Sequence, residues 1–332
     1  MLRLGIIGCG KVTTMFHLKA IGEVDVVEVT AVADPNEKRM EDVRRKAGAP
    51  RGYLDYRELL SDQDVDAVAV NTPPRFHEAM TLDAVRAGKH VLCEKPLARS
   101  VEGCRHIQEA QTGTGLVVHP VHNYAFTPCL EKGLELIAAG EIGELTSLQL
   151  RFDNNLWSYG SKTDFRLKDD RGIVEDLLPH VLSVVSSFTS APFNLGEVRG
   201  EAKRYGVIDN FSVNLDSHEG VNVECHMNWT SLIPAYRVEA HGESGHLEME
   251  MMKAPHRVSV KTPTGGRTLD RKGFGKYLDL VRLRHPAFVG QYRHFASVVE
   301  GSVEPRFTVE DEAMMLGLME DVASRLVETS IS

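Results

Sequence analysis

Short apolar runs alternate with longer amphipathic stretches through the first 120 residues of the chain. The runs are rich in valine and isoleucine, and we expect them to form buried strands at residues 2–8, 27–34, 65–72, 90–95 and 115–120. Between them, helix-forming residues follow the spacing of an amphipathic helix. Strand–helix alternation of this kind predicts an α/β domain with a parallel, doubly wound sheet and helices on both of its faces.

The pattern changes after residue 143. Seven short segments between residues 144 and 262 follow one another with turn residues between them, and several alternate apolar and polar positions as half-buried antiparallel strands do. Helical spacing recurs at about 172–188, 286–300 and 309–329. We therefore predict a second, α+β domain built on an open, mostly antiparallel sheet. The two predicted domains are residues 1–120 and 121–332.

The net charge narrows the choice of partners. The 332 residues carry a formal charge of −9, and no run of lysine or arginine stands out, which argues against nucleic acid and anionic membranes. No stretch approaches the roughly 20 apolar residues of a membrane span. Five scattered cysteines fit free thiols in a reducing compartment, and no four residues have the spacing of a zinc site. We expect a cytoplasmic protein with a small-molecule substrate and no metal.

A glycine-rich turn follows the first predicted strand. Gly8 would form the tight turn, and Gly10 would let the backbone approach a pyrophosphate at the N-terminus of the next helix, which begins near Lys11 and Val12. Thr13 stands at the third fingerprint position, where glycine or alanine is usual. The sequence therefore predicts a dinucleotide site, although this copy of the fingerprint is imperfect.

The acidic residue at the end of the second predicted strand bears on the choice of cofactor. Asp34 is in position to accept hydrogen bonds from an adenosine ribose and to repel a 2′-phosphate. This favours NAD, with NADP the weaker alternative, because Lys38 and Arg39 soften the discrimination. The competing interpretation is a simple glycine turn followed by an aspartate that caps a helix.

The third predicted strand ends in residues that suit cofactor contact. The segment NTPPRFH carries Asn71, Thr72, Pro73 and His77 just beyond the strand. Ligands of open α/β sheets bind beyond the carboxyl ends of the strands, so these residues are candidates for the cofactor site. An alternative is that the two prolines only end the strand.

The fourth predicted strand ends in the triplet Glu94–Lys95–Pro96. A charged pair is costly to bury without partners, so the simplest explanation is a strand end whose charges point into solvent. Successive side chains of a strand point to opposite faces, however, so Lys95 can face a ligand while Glu94 faces elsewhere. The triplet alone does not decide between these alternatives.

An aspartate and a histidine lie four residues apart in the segment 171–185. On a helix, this spacing brings Asp176 and His180 to one face. An imidazole exchanges protons near neutral pH, which suits a catalytic acid or base, although an ordinary structural Asp–His pair has the same spacing. Pro179 predicts a break or kink just before His180.

These segments together resemble the Gfo/Idh/MocA family of oxidoreductases, named for glucose–fructose oxidoreductase and inositol dehydrogenase. The resemblance covers nearly the whole chain and rests on GIIGCGKV, AVADPN, VNTPPRFHEAMTLDAVRAGKHVLCEKPLA, HNYAFTPCLEKGLELIAAGEIGEL and PRFTVEDEAMMLGLMEDV. The Glu-Lys-Pro triplet is the most specific of these motifs. The resemblance implies an N-terminal Rossmann domain and a C-terminal sheet domain whose open face often mediates oligomerisation.

The resemblance also implies roles for residues of the first domain. It implies that Lys95 lies beside the nicotinamide and the substrate, where an ammonium stabilises charge on the reacting oxygen. Glu94 then serves the structure or the edge of the cofactor, and the peptide before Pro96 is cis. Asn123 and Tyr124 are candidates to contact nicotinamide or substrate.

In the second domain, the resemblance implies that His180 exchanges the substrate proton and that Asp176 orients it or binds substrate, with Arg166 nearby. The chain departs from the family at Leu178 and Ser183, where glycine and aspartate are common, and this puts the substrate in doubt. Trp157 lies in a polar segment that is a candidate substrate loop, although an isolated aromatic residue is equally well explained as a packing anchor.

The resulting hypothesis is an NAD(P)-dependent oxidoreductase that interconverts a secondary alcohol and a carbonyl on a sugar, polyol, inositol or related substrate. Alternatives are a dihydrodiol-type dehydrogenase, an NAD-using glycosidase and a non-catalytic NAD-sensing regulator, since a fold does not fix a function. We also expect an apolar open face on the second sheet, covered by another copy of the chain in a homodimer or homotetramer.

Overall fold

The computed structural model describes residues 1–156, 165–168, 171–189, 192–270 and 286–331. These residues group into two compact units. The first takes in the described residues of Met1–Asn123 and Val281–Leu316, and the second takes in those of Tyr124–Leu280 and Gly317–Ser332. The first unit thus includes a C-terminal segment that a boundary at residue 120 assigns to the second domain. Trp157 lies outside the described residues.

Six parallel strands form the sheet of the first unit in the order β3-β2-β1-β4-β5-β6. In chain order, β1 to β6 span Leu2–Ile7, Val27–Ala33, Arg51–Tyr53, Ala67–Val70, His90–Cys93 and Val118–Pro120. This strand order is that of a dinucleotide-binding fold, so the predicted parallel α/β domain is confirmed.

Burial explains which of these strands the sequence pattern reveals. All four residues of β4 are buried, as are Val91, Leu92 and Cys93 of β5, because helices cover both faces of a parallel sheet. The exception is β3, which the pattern did not predict. It is a three-residue edge strand whose residues are all only partly buried, so it carries no apolar run.

Helices of the first unit begin at recognisable caps. The side chains of Asn36, Asp55 and Ser100 each accept a backbone N–H from the first turn that follows. Helices α1 to α5 span Leu18–Ile21, Glu37–Ala47, Tyr56–Leu60, His77–Arg86 and Val101–Gln111. A π-helical turn at Thr13–His17 leads into α1, and 3₁₀ turns occur at Pro74–Phe76 and Asn123–Phe126.

Eight strands form the sheet of the second unit in the order β14-β13-β12-β11-β7-β10-β9-β8. Only the β7–β10 pair is parallel among the described strands of this sheet, which confirms a mostly antiparallel sheet. In chain order, β7 to β14 span Leu145–Asn155, Phe193–Glu201, Asn210–Ser217, Asn222–Asn228, Thr230–Gly242, Gly245–Glu250, Ala254–Thr262 and Gly265–Asp270.

The two faces of this sheet differ in chemistry. Helices α6 (Pro128–Ala138) and α7 (Gly172–Val185) pack against the strands. The strands alternate buried apolar residues with exposed ones, and the exposed set on neighbouring strands is charged or polar: Gln149, Arg151, Glu224, His226 and Arg237. Apart from the exposed Leu232 and Ile233 of β11, the expected apolar open face is therefore wrong for the described strands, because charged and polar side chains occupy the outward positions of the pleat.

Helix α7 runs without interruption through Pro179. The predicted break before His180 is therefore wrong. Proline removes one hydrogen bond to the preceding turn, but the burial of most of this helix against the sheet keeps the segment helical. Asp176 and His180 consequently remain one helical turn apart on the same helix.

The last two helices are α8 (Pro286–Val299) and α9 (Val309–Ile331). Phe288, Val289, Tyr292 and Phe295 of α8 belong to the apolar core of the first unit, together with Ile6, Ile21 and Leu92. The start of α9 also belongs to the first unit, and its remainder belongs to the second. Among the described residues, no helix is both long enough and apolar enough to cross a bilayer.

Candidate functional site

The turn after β1 requires glycine at its first position. Gly8 has a φ of +95°, and a Cβ there would lie 2.7 Å from the carbonyl oxygen of Asn71. The Gly8 N–H donates to the carbonyl of Ala33 at 2.8 Å. The hydroxyl of Thr13 donates to the Gly8 carbonyl at 2.6 Å, so the departure from the usual fingerprint closes the turn with a side chain.

Gly10 satisfies a different requirement. Its φ lies outside the left-handed region, and a Cβ there would meet no protein atom within 4 Å among the described residues. Packing within the chain therefore does not demand glycine at this position. An open backbone at the start of a helical segment fits the close approach of a pyrophosphate, with exposed Lys11 and half-buried Val12 beside it.

Asp34 joins the glycine turn to the end of β2. Its Oδ2 accepts the Cys9 N–H and its Oδ1 accepts the Asn36 N–H, both at 2.8 Å. A carboxylate has about four acceptor positions, so both oxygens retain capacity for ribose hydroxyls. The geometry fits the ribose role. Arg39, by contrast, is exposed on the first turn of α2.

Asn71 follows β4, directly beside the glycine turn. Its side chain is 4% exposed, and neither its amide nitrogen nor its amide oxygen is hydrogen-bonded to any described residue. Buried polar groups normally have partners, so this amide suits a ligand group with both a donor and an acceptor. Together with the turn at Gly8 and Gly10, it fits a nicotinamide dinucleotide.

His77, which the sequence predicts as a cofactor contact, makes the hydrogen bonds of both ring nitrogens within the chain. Its Nε2 lies 2.7 Å from the carbonyl of Thr72 and its Nδ1 lies 2.7 Å from the carbonyl of Pro96. The ring is buried and both nitrogens are engaged, so neither remains for a ligand. His77 instead ties the turn after β4 to the turn after β5. Thr72 and Pro73 are half-buried and exposed, respectively.

The protonation of His77 follows from these contacts. Burial by itself lowers the pKa of an imidazole, but the Cys93 sulfur and the carbonyls of Pro96 and Thr72 outweigh it and raise the pKa of His77 to about 9. Two carbonyl oxygens can accept hydrogen bonds from both ring nitrogens only when the ring carries both protons.

Glu94 does not point into solvent. Its side chain is 13% exposed, its Oε1 lies 2.9 Å from His17 Nε2, and its Oε2 accepts the backbone N–H of Lys95 at 3.2 Å. Burial raises the pKa of Glu94, but His17 and the Lys95 charge outweigh it, and the net pKa is lowered. Lys95 is half-buried, and the Lys95–Pro96 peptide is cis.

A second buried carboxylate supports the same turn. The Oε1 of Glu312, on α9, accepts the Leu97 N–H at 3.0 Å, and its Oε2 lies 2.8 Å from His122 Nε2. Burial raises the pKa of Glu312, but His122 outweighs it, with smaller contributions from Leu97 and Lys95, so the net pKa is lowered.

The sequence reasoning missed His17 and Glu312, although both leave a signal. Glu312 lies at helical spacing between the buried residues Val309 and Met315, and His17 lies between Thr13 and Ile21 in the same way. A charged or polar side chain within an apolar helical stripe indicates a buried partner. The pattern does not reveal which partner that is.

In the second unit, Asp176 is held on both carboxylate oxygens. Its Oδ1 lies 3.1 Å from Arg166 Nε, and its Oδ2 accepts the indole N–H of Trp229 at 3.1 Å. Trp229 is fully buried and was not predicted. Arg166 and Asp176, both predicted site residues, thus contact each other. Trp229, which lies between β10 and β11, holds the carboxylate of Asp176 in place.

Aromatic rings surround His180. The rings of Tyr124 and Phe152 pack edge-on against its imidazole at centroid distances of 5.2 and 6.0 Å. The buried Tyr236 hydroxyl donates to the backbone carbonyl of His180 at 3.2 Å. Tyr124, Asp176, His180 and Arg166 therefore gather in the second unit, while Asn123 is buried in the first.

Both parts of the chain match models of the same protein family. Residues 2–122 match a family described as the GFO/IDH/MocA oxidoreductase family with an NAD-binding Rossmann fold, and residues 132–248 match the GFO/IDH/MocA C-terminal domain.

Two curated relatives match over most of their length. A 1,5-anhydro-D-fructose reductase of Ensifer adhaerens is 28% identical over 94% of this chain and 92% of its own. An NAD⁺-dependent scyllo-inositol 2-dehydrogenase of Bacillus subtilis is 24% identical over 95% and 91%. The fold is similar to that of KijD10, a 3-ketoreductase from Actinomadura kijaniata solved with NADP and TDP-benzene, with a TM-score of 0.80, 23% identity and 97% coverage of each chain.

The raised pKa of His77 predicts a pH-dependent stability. An unfolded histidine titrates near pH 6.5 and folded His77 near 9, so its stabilising contribution is complete below about pH 6.5 and is lost as the pH rises to 9. The loss should be about 3 kcal/mol. Urea unfolding at several pH values should show this decline, and His77→Gln should flatten it. The control variant His226→Gln changes an exposed histidine and should show the same decline as the unmodified protein. A decline of equal size in His77→Gln would show that His77 is not its source.

Proposed function

Because the chain belongs to the Gfo/Idh/MocA family of NAD(P)-dependent oxidoreductases, we propose that it interconverts a secondary alcohol and a carbonyl on a sugar, polyol, inositol or related substrate. The curated relatives are dehydrogenases and reductases, and this chain is likewise an enzyme that acts on CH–OH groups. These relatives act on different substrates, so the substrate class of this chain is our proposal.

The observation that carries the proposal is the edge at which the ends of β1, β4 and β5 meet. These strands are neighbours in the sheet, so Gly8, Asn71 and Lys95 follow one another along its carboxyl edge. Ligands of open α/β sheets bind along such an edge. A lysine held at its end by buried side chains suits a catalytic group better than a free surface charge.

We propose that Lys95 donates to the reacting oxygen of the substrate, because a positioned ammonium stabilises negative charge that develops there. When bound, the nicotinamide supplies or accepts the hydride. His180 takes or returns the hydroxyl proton, and its aromatic neighbours limit its exposure to water. Asp176, Arg166 and Tyr124 bind and orient the substrate, and the buried Trp229 keeps Asp176 in one orientation.

We propose NAD as the preferred cofactor. The buried carboxylate of Asp34 is fixed by two backbone N–H groups, so it cannot turn away from a 2′-phosphate without losing both hydrogen bonds. Gly8, Gly10, Asn71 and Thr72 are the further proposed contacts, and Glu94 acts through the orientation of Lys95. The five cysteines are buried and unpaired, which is consistent with a reducing cytoplasm.

Screening sugars, inositols, sugar acids and dihydrodiols for reduction of NAD⁺ by absorbance tests this function directly. Turnover of a dihydrodiol alone would favour the dihydrodiol-type alternative, and release of an aglycone without net reduction would favour a glycosidase. Tight NAD binding without turnover of any compound would favour a regulator.

Asp34→Ser should weaken NAD(H) binding about tenfold or more, since hydrogen bonds to a charged group contribute roughly 1.5–3 kcal/mol. Titration of the unmodified protein should give tighter binding of NADH than of NADPH, and the variant should narrow or invert that order. Asp42→Ser removes an acidic side chain on α2 that pairs with Arg45, and it should change neither affinity. Equal or tighter NADPH binding by the unmodified protein would contradict the NAD assignment.

Lys95→Met should retain the fold and NADH binding but lower turnover by roughly 10²–10³, the usual effect of removing a donor to developing charge. The substrate found in the screen provides the assay, with circular dichroism and NADH titration as checks on folding. Lys253→Met removes an exposed lysine of the second unit and should leave turnover unchanged.

His180→Ala should lower turnover by roughly 10²–10⁴, as expected for a positioned acid or base. Since both groups act on one oxygen and its proton, the double variant should lose much less than the product of the single losses. Asp176→Asn should have a milder effect. Near-normal turnover by Lys95→Met would contradict the catalytic role of Lys95.

We propose that the chain assembles as a homodimer or homotetramer through the outer face of the second sheet. Because Arg151, Glu224, His226 and Arg237 occupy that face, polar contacts would hold the assembly, and it should weaken at about 1 M salt. Light scattering at low and high salt measures this. A monomer across micromolar concentrations at low salt would refute the proposal.

A further inference from the structure

The backbone after β5 is held at three successive points by buried side chains. The Lys95 N–H donates to Glu94 Oε2 at 3.2 Å, the Pro96 carbonyl lies 2.7 Å from His77 Nδ1, and the Leu97 N–H donates to Glu312 Oε1 at 3.0 Å. The three side chains come from β5's own end, from α4 and from α9. These three segments are far apart in the sequence, and the fold brings them together at one short turn.

Each of these side chains has a second contact that fixes it. Glu312 lies 2.8 Å from His122 Nε2, and the backbone N–H of His122 donates to Gln291 of α8 at 3.0 Å. Glu312 and His122 are both buried, with side-chain exposures of 2% and 0%. Burying two charged groups costs free energy that only good hydrogen-bond geometry offsets. A buried Glu312–His122 pair next to the Lys95 turn therefore indicates a role other than stability.

A parallel chain of contacts fixes Glu94. His17 Nε2 lies 2.9 Å from Glu94 Oε1, and His17 Nδ1 lies 2.8 Å from the hydroxyl of Tyr292. In the neutral tautomer that satisfies both contacts, Tyr292 donates to Nδ1 and Nε2–H donates to the carboxylate. Tyr292 lies on α8, so both C-terminal helices contribute to the support of the turn.

We propose that Glu312, supported by His122, is a positioning residue for Lys95, and that Tyr292 positions the same turn from the other side through His17 and Glu94. This inference rests on the proposed function, because it gives Lys95 the catalytic role. It gives the C-terminal segment of the first unit a role besides apolar packing, because α8 and α9 carry the side chains that hold the turn.

The support also acts through charge. The Lys95 ammonium helps to lower the pKa of both Glu94 and Glu312, so the two carboxylates in turn favour the charged form of Lys95. Other ionisable groups of the first unit also face this turn or its two carboxylates: His77, His17, His122, Cys93, Cys104 and Tyr292. Removing the charge of Glu312 should therefore increase the fraction of Lys95 that is a free amine.

The test measures the chemical reactivity of Lys95 in the substrate-free protein. A brief pulse of acetic anhydride at several pH values, followed by peptide mass spectrometry, reports how fast the Lys95 amine is acylated. Glu312→Gln keeps the size of the side chain and a hydrogen-bond acceptor for Leu97 but removes the charge. We expect it to raise acylation of Lys95 at neutral pH about two- to threefold, because Lys95 is the smallest named contribution to the pKa of Glu312 and a full pKa unit would give a tenfold change.

Conservative variants separate positioning from simple loss of stability. Glu312→Asp retains the charge and should return acylation towards that of the unmodified protein. Asp209→Asn is the matched control, because Asp209 is a fully buried carboxylate of the second unit that accepts three backbone N–H groups. It should lower the melting temperature without changing the acylation of Lys95.

Tyr292→Phe provides a second route if Glu312→Gln fails to fold. It retains the buried ring and removes only the hydroxyl contact with His17. Without that contact His17 no longer fixes Glu94 beside Lys95, so the favourable interaction with the ammonium weakens and acylation of Lys95 should also rise. Unchanged acylation in Glu312→Gln, or in Tyr292→Phe where the first variant does not fold, would overturn the inference. Since no substrate is involved, changed acylation alongside a failed substrate screen would count against the proposed function alone.

Discussion

The first unit depends on keeping charged groups in place where β5 leaves the core. Glu94 is largely removed from water, and a buried carboxylate is tolerated only where hydrogen-bond donors replace the water it has lost. His17 and the Lys95 N–H supply those donors, and Tyr292 fixes His17. Leaving one member of a buried pair without its partner typically costs roughly 3–5 kcal/mol, so these contacts constrain the segments that carry them.

The same principle organises the rest of the sheet edge. Asp34 accepts backbone N–H groups from Cys9 and Asn36, and this joins the glycine turn to the end of β2. His77 joins the turns after β4 and β5 through two carbonyl groups. Polar side chains thus connect neighbouring strand ends where the backbone ladder stops. The ligand-binding edge is held by hydrogen bonds, while the apolar core holds the strands behind it.

In the second unit, side-chain contacts rather than backbone N–H groups hold the carboxylate of Asp176 in place. Asp176 lies on a helix that remains continuous through Pro179, and Arg166 and Trp229 contact its two oxygens. His180, one turn further along, packs against the rings of Tyr124 and Phe152. An imidazole in such surroundings keeps a limited set of orientations, which suits repeated exchange of a proton with a bound hydroxyl.

The sequence by itself determined the features that rest on local patterns. Apolar runs revealed five of the six strands of the first sheet, alternation revealed the second sheet, and the glycine turn and the Asp176–His180 spacing indicated where chemistry would lie. Tertiary structure alone decided the rest. The edge strand β3 is only partly buried and carries no apolar run, burial keeps the helix continuous through Pro179, and most outward positions of the second sheet are charged or polar. The partners of Glu94, His77 and Asp176 come from distant segments, because hydrogen bonds between buried groups depend on proximity in space, which residue spacing does not encode.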